Sequence, residues 1–157
     1  MSTVILIHDT DIDAPAAMAW RVVADYARDV EWRQGVLHMV PTPTGLVRVG
    51  TTTAEEMKLA GKTYRNDGEV IAVEPGSRFE WRTTAGAVAH GSRHVMPIDP
   101  RRCRVRLELH VTPTGLNPLF APMLKRMLDT GLAGDVGRLR ELVEAEAAIE
   151  SVPGPRT

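Results

Sequence analysis

From Leu116 to about Ile149 the apolar residues Phe120, Met123, Leu124, Met127, Leu128, Leu132, Val136, Leu139, Leu142 and Val143 recur at intervals of three and four. That is the period of a helix with one buried stripe. Lys125, Arg126, Asp129, Arg138, Arg140, Glu141 and Glu144 fall mainly on the other side. Asn117-Pro118 makes a suitable start, with a side-chain oxygen for an early N–H and a proline where no N–H is needed. Pro122 still falls within the first turn, where proline is tolerated. Pro153-Gly154-Pro155 stops the helix, so residues 1–150 form one domain and 151–157 a disordered tail. Most of the chain before this helix reads as strands. The expectation is a curved sheet with the helix lying across its hollow.

Three glycines interrupt the helix at Gly131, Gly134 and Gly137, each costing about 1 kcal/mol against alanine in a helix interior. Two readings account for them. Either the helix kinks or brings its backbone close to the sheet, or the missing side chains leave room for a ligand beneath it.

At 157 residues the chain is long enough to bury a core of its own. A net charge of -1 argues against a nucleic-acid or membrane-surface partner, which would call for a concentrated basic patch. No apolar run reaches the ~20 residues of a membrane span. The apolar run Val4–Ile7 lacks preceding basic residues and meets Asp9, Asp11 and Asp13 at once, unlike a secretory signal. Cys103 is the single cysteine, which excludes an internal disulfide and a cysteine metal cluster. It alternates with Val105, Leu107 and Leu109, as a buried structural thiol does. A cytoplasmic protein is expected.

Thr3–Ile12 is a β-branched strand whose acidic face, Asp9 and Asp11, is wet. His8 therefore points inward with Val4, Leu6 and Ile12. Asp13-Ala14-Pro15 opens a helix with Ala16, Ala19, Trp20, Val23 and Ala27 on its buried side. Asp29-Val30-Glu31-Trp32 suggests a further helical turn that sets Trp32 against it. Strands follow over Gly35–Val40, Thr51–Ala60, Thr63–Glu74, Arg78–Thr84, Val88–Ile98 and Arg102–Thr112, with Gly61-Lys62 as a two-residue hairpin candidate. In the last of these, Cys103, Val105, Leu107, Leu109 and Val111 form a dry face opposite Arg102, Arg104, Arg106, Glu108 and His110. One dry and one wet face is the mark of an antiparallel sheet covered on a single side.

This order, with Ile12-Asp13-Ala14-Pro15 leading to Ala19-Trp20, then Asp25 and Glu31-Trp32, resembles the START-like helix-grip superfamily (SRPBCC). That group includes polyketide cyclase/dehydrase and lipid-transport proteins and plant pathogenesis-related ligand binders. Val73-Glu74-Pro75-Gly76-Ser77-Arg78-Phe79, Met96-Pro97-Ile98-Asp99, and Leu128-Asp129-Thr130 to Arg138-Leu139-Arg140-Glu141-Leu142 carry the same likeness. The resemblance implies an α+β helix-grip fold. A seven-stranded antiparallel sheet, with two short helices after its first strand, grips the long C-terminal helix around a deep cavity.

No standard catalytic or cofactor motif is present, and no cofactor is expected. His90 and His94 lie four apart in a strand, about 13 Å from each other, too far to share a metal ion. The candidate catalytic groups are His8, Glu55, His90, His94 and Arg93. The parity of two strands is open. If the even face of Val88–Ile98 is inward, then His90, Ser92 and His94 line the hollow; otherwise Arg93 does. Tyr64 and Arg65 carry the same ambiguity. Candidate ligand contacts are Trp32, Met57, Tyr64, Arg65, Trp81, Phe120, Met123, Met127, Gly131 and Gly134. In cyclases of the resembled family, proton transfers close and dehydrate a poly-β-keto chain. A histidine or glutamate base with an arginine or tyrosine at the enolate oxygen suits that chemistry. The expectation is a binder or carrier of a hydrophobic small molecule such as a polyketide, lipid or isoprenoid, with cyclase or dehydratase activity as the alternative. Monomer and homodimer are both open.

Overall fold

The computed structural model describes residues 3–115 and 117–151. The expected tail beyond Ser151, and Leu116 at the expected helix start, lie outside the described residues. Strand β1 (Val4–Ile12) is followed by helix α1 (Ala16–Val23) and a 3-10 turn (Tyr26–Glu31). Six strands come next: β2 (Val36–Thr42), β3 (Thr52–Leu59), β4 (Lys62–Glu74), β5 (Arg78–Ala85), β6 (Val88–Asp99) and β7 (Arg102–Thr112). A short 3-10 turn (Pro118–Phe120) leads into helix α2 (Ala121–Ser151). The strands make one antiparallel sheet in the order β1-β7-β6-β5-β4-β3-β2. This is the expected helix-grip architecture.

The alternation of β1 and β7 decides which face is covered. Leu6 and Ile12 are buried and His8 half-buried, while Ile5, Ile7, Asp9 and Asp11 are exposed. Across the ladder Ile12 meets Cys103, Thr10 meets Val105 and His8 meets Leu107, so both dry faces point the same way. Helix α2 lies on that inner side, mainly along β1. On the outer side Asp9 and Asp11 pair with Arg106 and Arg104 at 2.8 and 2.6 Å.

Two local expectations are corrected. The β3–β4 hairpin turns at Ala60-Gly61, not Gly61-Lys62, because Lys62 already pairs with Leu59. Both turn residues have positive φ, 51° and 79°, as the tight hairpin turn that follows the strands' twist requires. The glycines of α2 do not mark close approach either. A Cβ at Gly131 or Gly137 would meet nothing within 4 Å, and at Gly134 would first meet the flexible Arg138 guanidinium, at 3.3 Å. The helix runs through all three.

The core occupies one end of the inner face, where Ile12, Trp20, Val22, Val23, Phe79, Val95, Val105, Leu139 and Val143 are buried. Through it passes an ion pair. Arg93 of β6 donates from Nη1 and Nη2 to the two Asp29 carboxylate oxygens at 2.9 and 2.7 Å, and from Nη1 to the Val23 carbonyl at 3.0 Å. The guanidinium lies 4.7 Å from the Tyr26 ring centre and 5.0 Å from that of Trp32. Both charged side chains are almost inaccessible. Asp29 also accepts from Arg33, which reaches on to Glu55 of β3 at 2.8 Å.

Two changes test this account. Asp29→Ala leaves a buried guanidinium unpaired and should cost about 3–5 kcal/mol in urea unfolding, whereas replacing both partners by apolar residues recovers most of it. Gly131→Ala and Gly137→Ala add a methyl into open space in a helix interior. Each should raise stability by about 0.5–1 kcal/mol in the same measurement.

Candidate functional site

Away from the packed core, the inner face is only half covered. Strand pairing sets its floor in rows. Leu109, Gly91, Trp81 and Val70 lie side by side across β7, β6, β5 and β4. Gly91 is needed there, since a Cβ would stand 2.8 Å from the Trp81 ring and 2.2 Å from the Glu108 carbonyl oxygen. Thr83, Gly68 and Thr53 form part of the next row, and Met57 pairs with Tyr64 and Glu55 with Asn66 beyond it. Met57, Leu59, Trp81, Leu109 and Val111 all remain half-buried, and Tyr64 is 44% exposed. The first half of α2 is less deeply buried than the second. Leu124, Met127, Leu128 and Leu132 are half-buried, while its buried residues, Val136, Leu139 and Val143, all belong to the second half. This end of the inner face is therefore lined by half-buried apolar side chains.

Two of the candidate polar groups reach this side. His8 Nε2 stands 2.7 Å from Asp129 Oδ1, tying β1 to the first half of α2. Glu55 accepts from Arg33 at 2.8 Å and from Asn66 Nδ2 at 3.3 Å. Asn66 in turn accepts from the Ala87 N–H at 2.9 Å and so holds the β5–β6 turn.

Parity is settled for both open strands. Arg93 is the inward residue of β6, and its buried pairing with Asp29 makes it a structural cation out of a ligand's reach. His90 and His94 are therefore corrected to the outer face, away from this apolar lining. His90 stacks on His110 with ring centres 4.5 Å apart, and His94 Nε2 lies 2.8 Å from Ser92 Oγ. Tyr64 faces inward, but Arg65 faces outward beside Glu56, to which it pairs at 3.5 Å. Trp32 is buried in the core with its indole N–H unpartnered, so it does not line the opening. Phe120 and Met123 are 51% and 57% exposed at the helix entrance, and Gly131 is exposed as well. Met57, Trp81 and Met127 are the apolar candidates that the structure sets half-buried on the gripping elements. Asp29, Arg33 and Asn66 were missed. The signal for the first two was the four-residue spacing Asp29–Arg33, with Arg93 as an odd cation on an apolar face. Asn66 carried none.

Cys103 is buried, and burial pushes its thiol up to about 11, which fits an inert structural residue. Among the described residues no group of three or more His, Cys, Asp or Glu is arranged to hold a metal ion, and no helix is long and apolar enough to cross a membrane.

Residues 5–144 match the family described as polyketide cyclase / dehydrase and lipid transport. The chain belongs to that family. No curated protein matches it. Among solved structures it is similar to the ZhuI aromatase/cyclase from Streptomyces sp. R1128, at 13% identity and TM-score 0.74, over 96% of this chain and 97% of that one. It is similar also to a START superfamily protein from Mycobacterium smegmatis, at 13% identity and TM-score 0.75, over 90% and 98% of the two chains. A norcoclaurine synthase variant from Thalictrum flavum shares the fold at 15% identity and TM-score 0.64, over 92% and 96%. At such identities the likeness is one of fold.

The outward position of His94 has a measurable consequence. Burial, and then the nearby Arg78 charge, hold its pKa below the ordinary value of 6.5. The unfolded chain therefore takes up a proton that the folded one resists, so stability is fully present above 6.5 and falls as the pH drops below it. Comparing denaturation midpoints at about pH 7.5 and about pH 5, His94→Asn should show a shallower loss than the parent protein.

Proposed function

We propose that the protein binds a hydrophobic small molecule, of polyketide, lipid or isoprenoid kind, in the cleft beneath the first half of α2. In this reading it works in the cytoplasm and without a cofactor. The observation that supports it is the half-buried apolar inner surface formed by Met57, Leu59, Trp81, Leu109 and Val111. Covering apolar area contributes about 25 cal/mol per Å². A ligand spanning the floor and the Met127 side of α2 gains that energy, and thioether side chains adapt to irregular shapes. The few polar groups nearby, Asn66, Thr83 and Tyr64, would orient such a ligand rather than hold it.

A second reading, a cyclase or dehydratase acting by general acid/base catalysis, draws on the family match and on one local feature. Glu55 stands on the same inner face as the apolar floor, between a guanidinium and an amide. A carboxylate so placed could take a proton flanked by carbonyls, with Tyr64 as the hydroxyl near the developing enolate.

Native mass spectrometry of freshly purified protein tests the first reading. A co-purifying apolar molecule, lost in a Trp81→Ala variant that still folds, is the expected result. Absence of any bound species, with no saturable quenching of tryptophan fluorescence by fatty acids or aromatic polyketides, overturns it. Glu55→Gln separates the two readings. In an enzyme it abolishes turnover of a poly-β-keto substrate, and in a carrier it shifts affinity by about 1–2 kcal/mol, the scale of one hydrogen bond.

A further inference from the structure

A recess of about 400 Å³ is lined by the outward Glu80, Arg82, His90, Ser92, Glu108 and His110, and also touches Trp81, Ala89 and Gly91 of the inward-facing set. Strand register explains it. Glu80, Ser92 and Glu108 stand side by side across β5, β6 and β7, and Arg82, His90 and His110 form the adjoining row. Ser92 is the short side chain in the middle of five long ones, so the recess opens above it.

Charge on this face is nearly all matched within the protein. Arg82 pairs with Glu69 at 2.6 Å, Arg78 with Glu80, and Arg106 with Asp9 at 2.8 Å. Glu108 differs. Among the described residues it has no arginine partner, and its carboxylate is met only by His110 Nε2 at 2.8 Å and Ser92 Oγ at 3.5 Å. The hydrogen bond from His110 holds its carboxyl below the ordinary carboxylate range, so it is ionised at neutral pH. The Ser92 hydroxyl has one proton to give, to His94 or to Glu108; when it donates to Glu108 it accepts from His94 and keeps one lone pair for a further donor. The recess is thus rich in acceptors, and its Glu108 carboxylate is paired with histidine rather than with an arginine. Its walls include Ile71 and the stacked imidazoles of His90 and His110.

We propose that this recess binds a small organic cation, an alkylammonium or a guanidinium. The charged head sits against Glu108 and the Ser92 hydroxyl, and the carbon chain lies along Ile71 and the stacked imidazoles. An anion is disfavoured because Arg78, Arg82 and Arg106 are already engaged by carboxylates. A metal ion is disfavoured because the described residues offer no group of three ligands. Its charged groups stand on the opposite face of the strands from Met57, although Trp81 and Gly91 border it.

Agmatine, n-butylamine, butyrate and zinc, each titrated at low salt into isotope-labelled protein, provide the test by nuclear magnetic resonance. Agmatine and butylamine should give saturable shifts at His90, Ser92, His94 and His110, while the Met57 methyl in the inner cleft stays still. Glu108→Gln should weaken agmatine at least tenfold. Should that variant fail to fold, Ser92→Val, which removes the hydroxyl and narrows the recess, serves in its place with the same expectation. Equal affinity in parent and variant overturns the proposal. So do butyrate binding as well as agmatine, zinc alone moving these residues, or no saturable shift with either amine.

Discussion

The arrangement of this domain depends on one buried ion pair. Arg93 and Asp29 join the middle of the sheet to the 3-10 turn after α1, with both oxygens of the carboxylate engaged. Two charges taken out of water are costly unless their geometry is good and their remaining hydrogen-bonding capacity is filled. Here the Val23 carbonyl accepts from the same guanidinium, and the rings of Tyr26, Trp32 and Phe79 surround it. The pair thereby fixes where the turn sits. Arg33, four residues on from Asp29, then reaches Glu55 and ties β3 to the same cluster. The closed end of the inner face is built around this chain of charges, and the open end begins where it stops, at Glu55 and Asn66.

Helix α2 follows the same division. Its second half is anchored by Val136, Leu139 and Val143 in the core, by Arg138 donating to the Trp32 carbonyl at 3.0 Å, and by Arg28 paired with Glu146 at 2.7 Å. Its first half has half-buried apolar residues, exposed Phe120 and Met123, and the contact from His8 to Asp129 as a polar tie to β1. Gly131 lies within the first half and lowers the helix's intrinsic stability where packing is also weakest. Segments with few buried contacts open at the lowest free energy. The first half of α2 is therefore the part of the helix that opens at the lowest free energy.

Much of the fold could be read from the chain because its two periodicities are clean. The alternation of Cys103–Val111 and the three-four spacing of Phe120–Val143 define a dry sheet face and a helix to cover it. The faces of β4 and β6 could not be read, for a physical reason. Val70-Ile71-Ala72-Val73 has no alternation because a bulge there sends Val70 and Val73 to the same side, with Ile71 displaced outward. In β6 the inward residue is a charged one, Arg93, and the outward ones include histidines, which reverses the usual cue. Its justification lies in Asp29, sixty-four positions away in sequence, and no local pattern announces such a partner. For the same reason the sequence leaves open whether His90 and His94 or Arg93 face inward, while His8, set in the plainly alternating β1, reads as inward, where the structure has it.

The two readings of the inner cleft differ in what they ask of Glu55. A binder needs only apolar area and a few orienting groups, and the floor around Trp81 supplies both without any rearrangement. A catalyst needs a carboxylate whose oxygens can reach a substrate proton. Both oxygens of Glu55 are engaged, one by Arg33 and one by Asn66, and Arg33 is itself committed to Asp29. Freeing Glu55 for proton abstraction disturbs a network that also positions the buried Arg93. Geometry can tighten or reorganise when substrate binds, so this coupling does not abolish the catalytic route. It does attach a structural cost to that route which simple binding avoids, and on that ground the carrier is the better-supported reading of the fold.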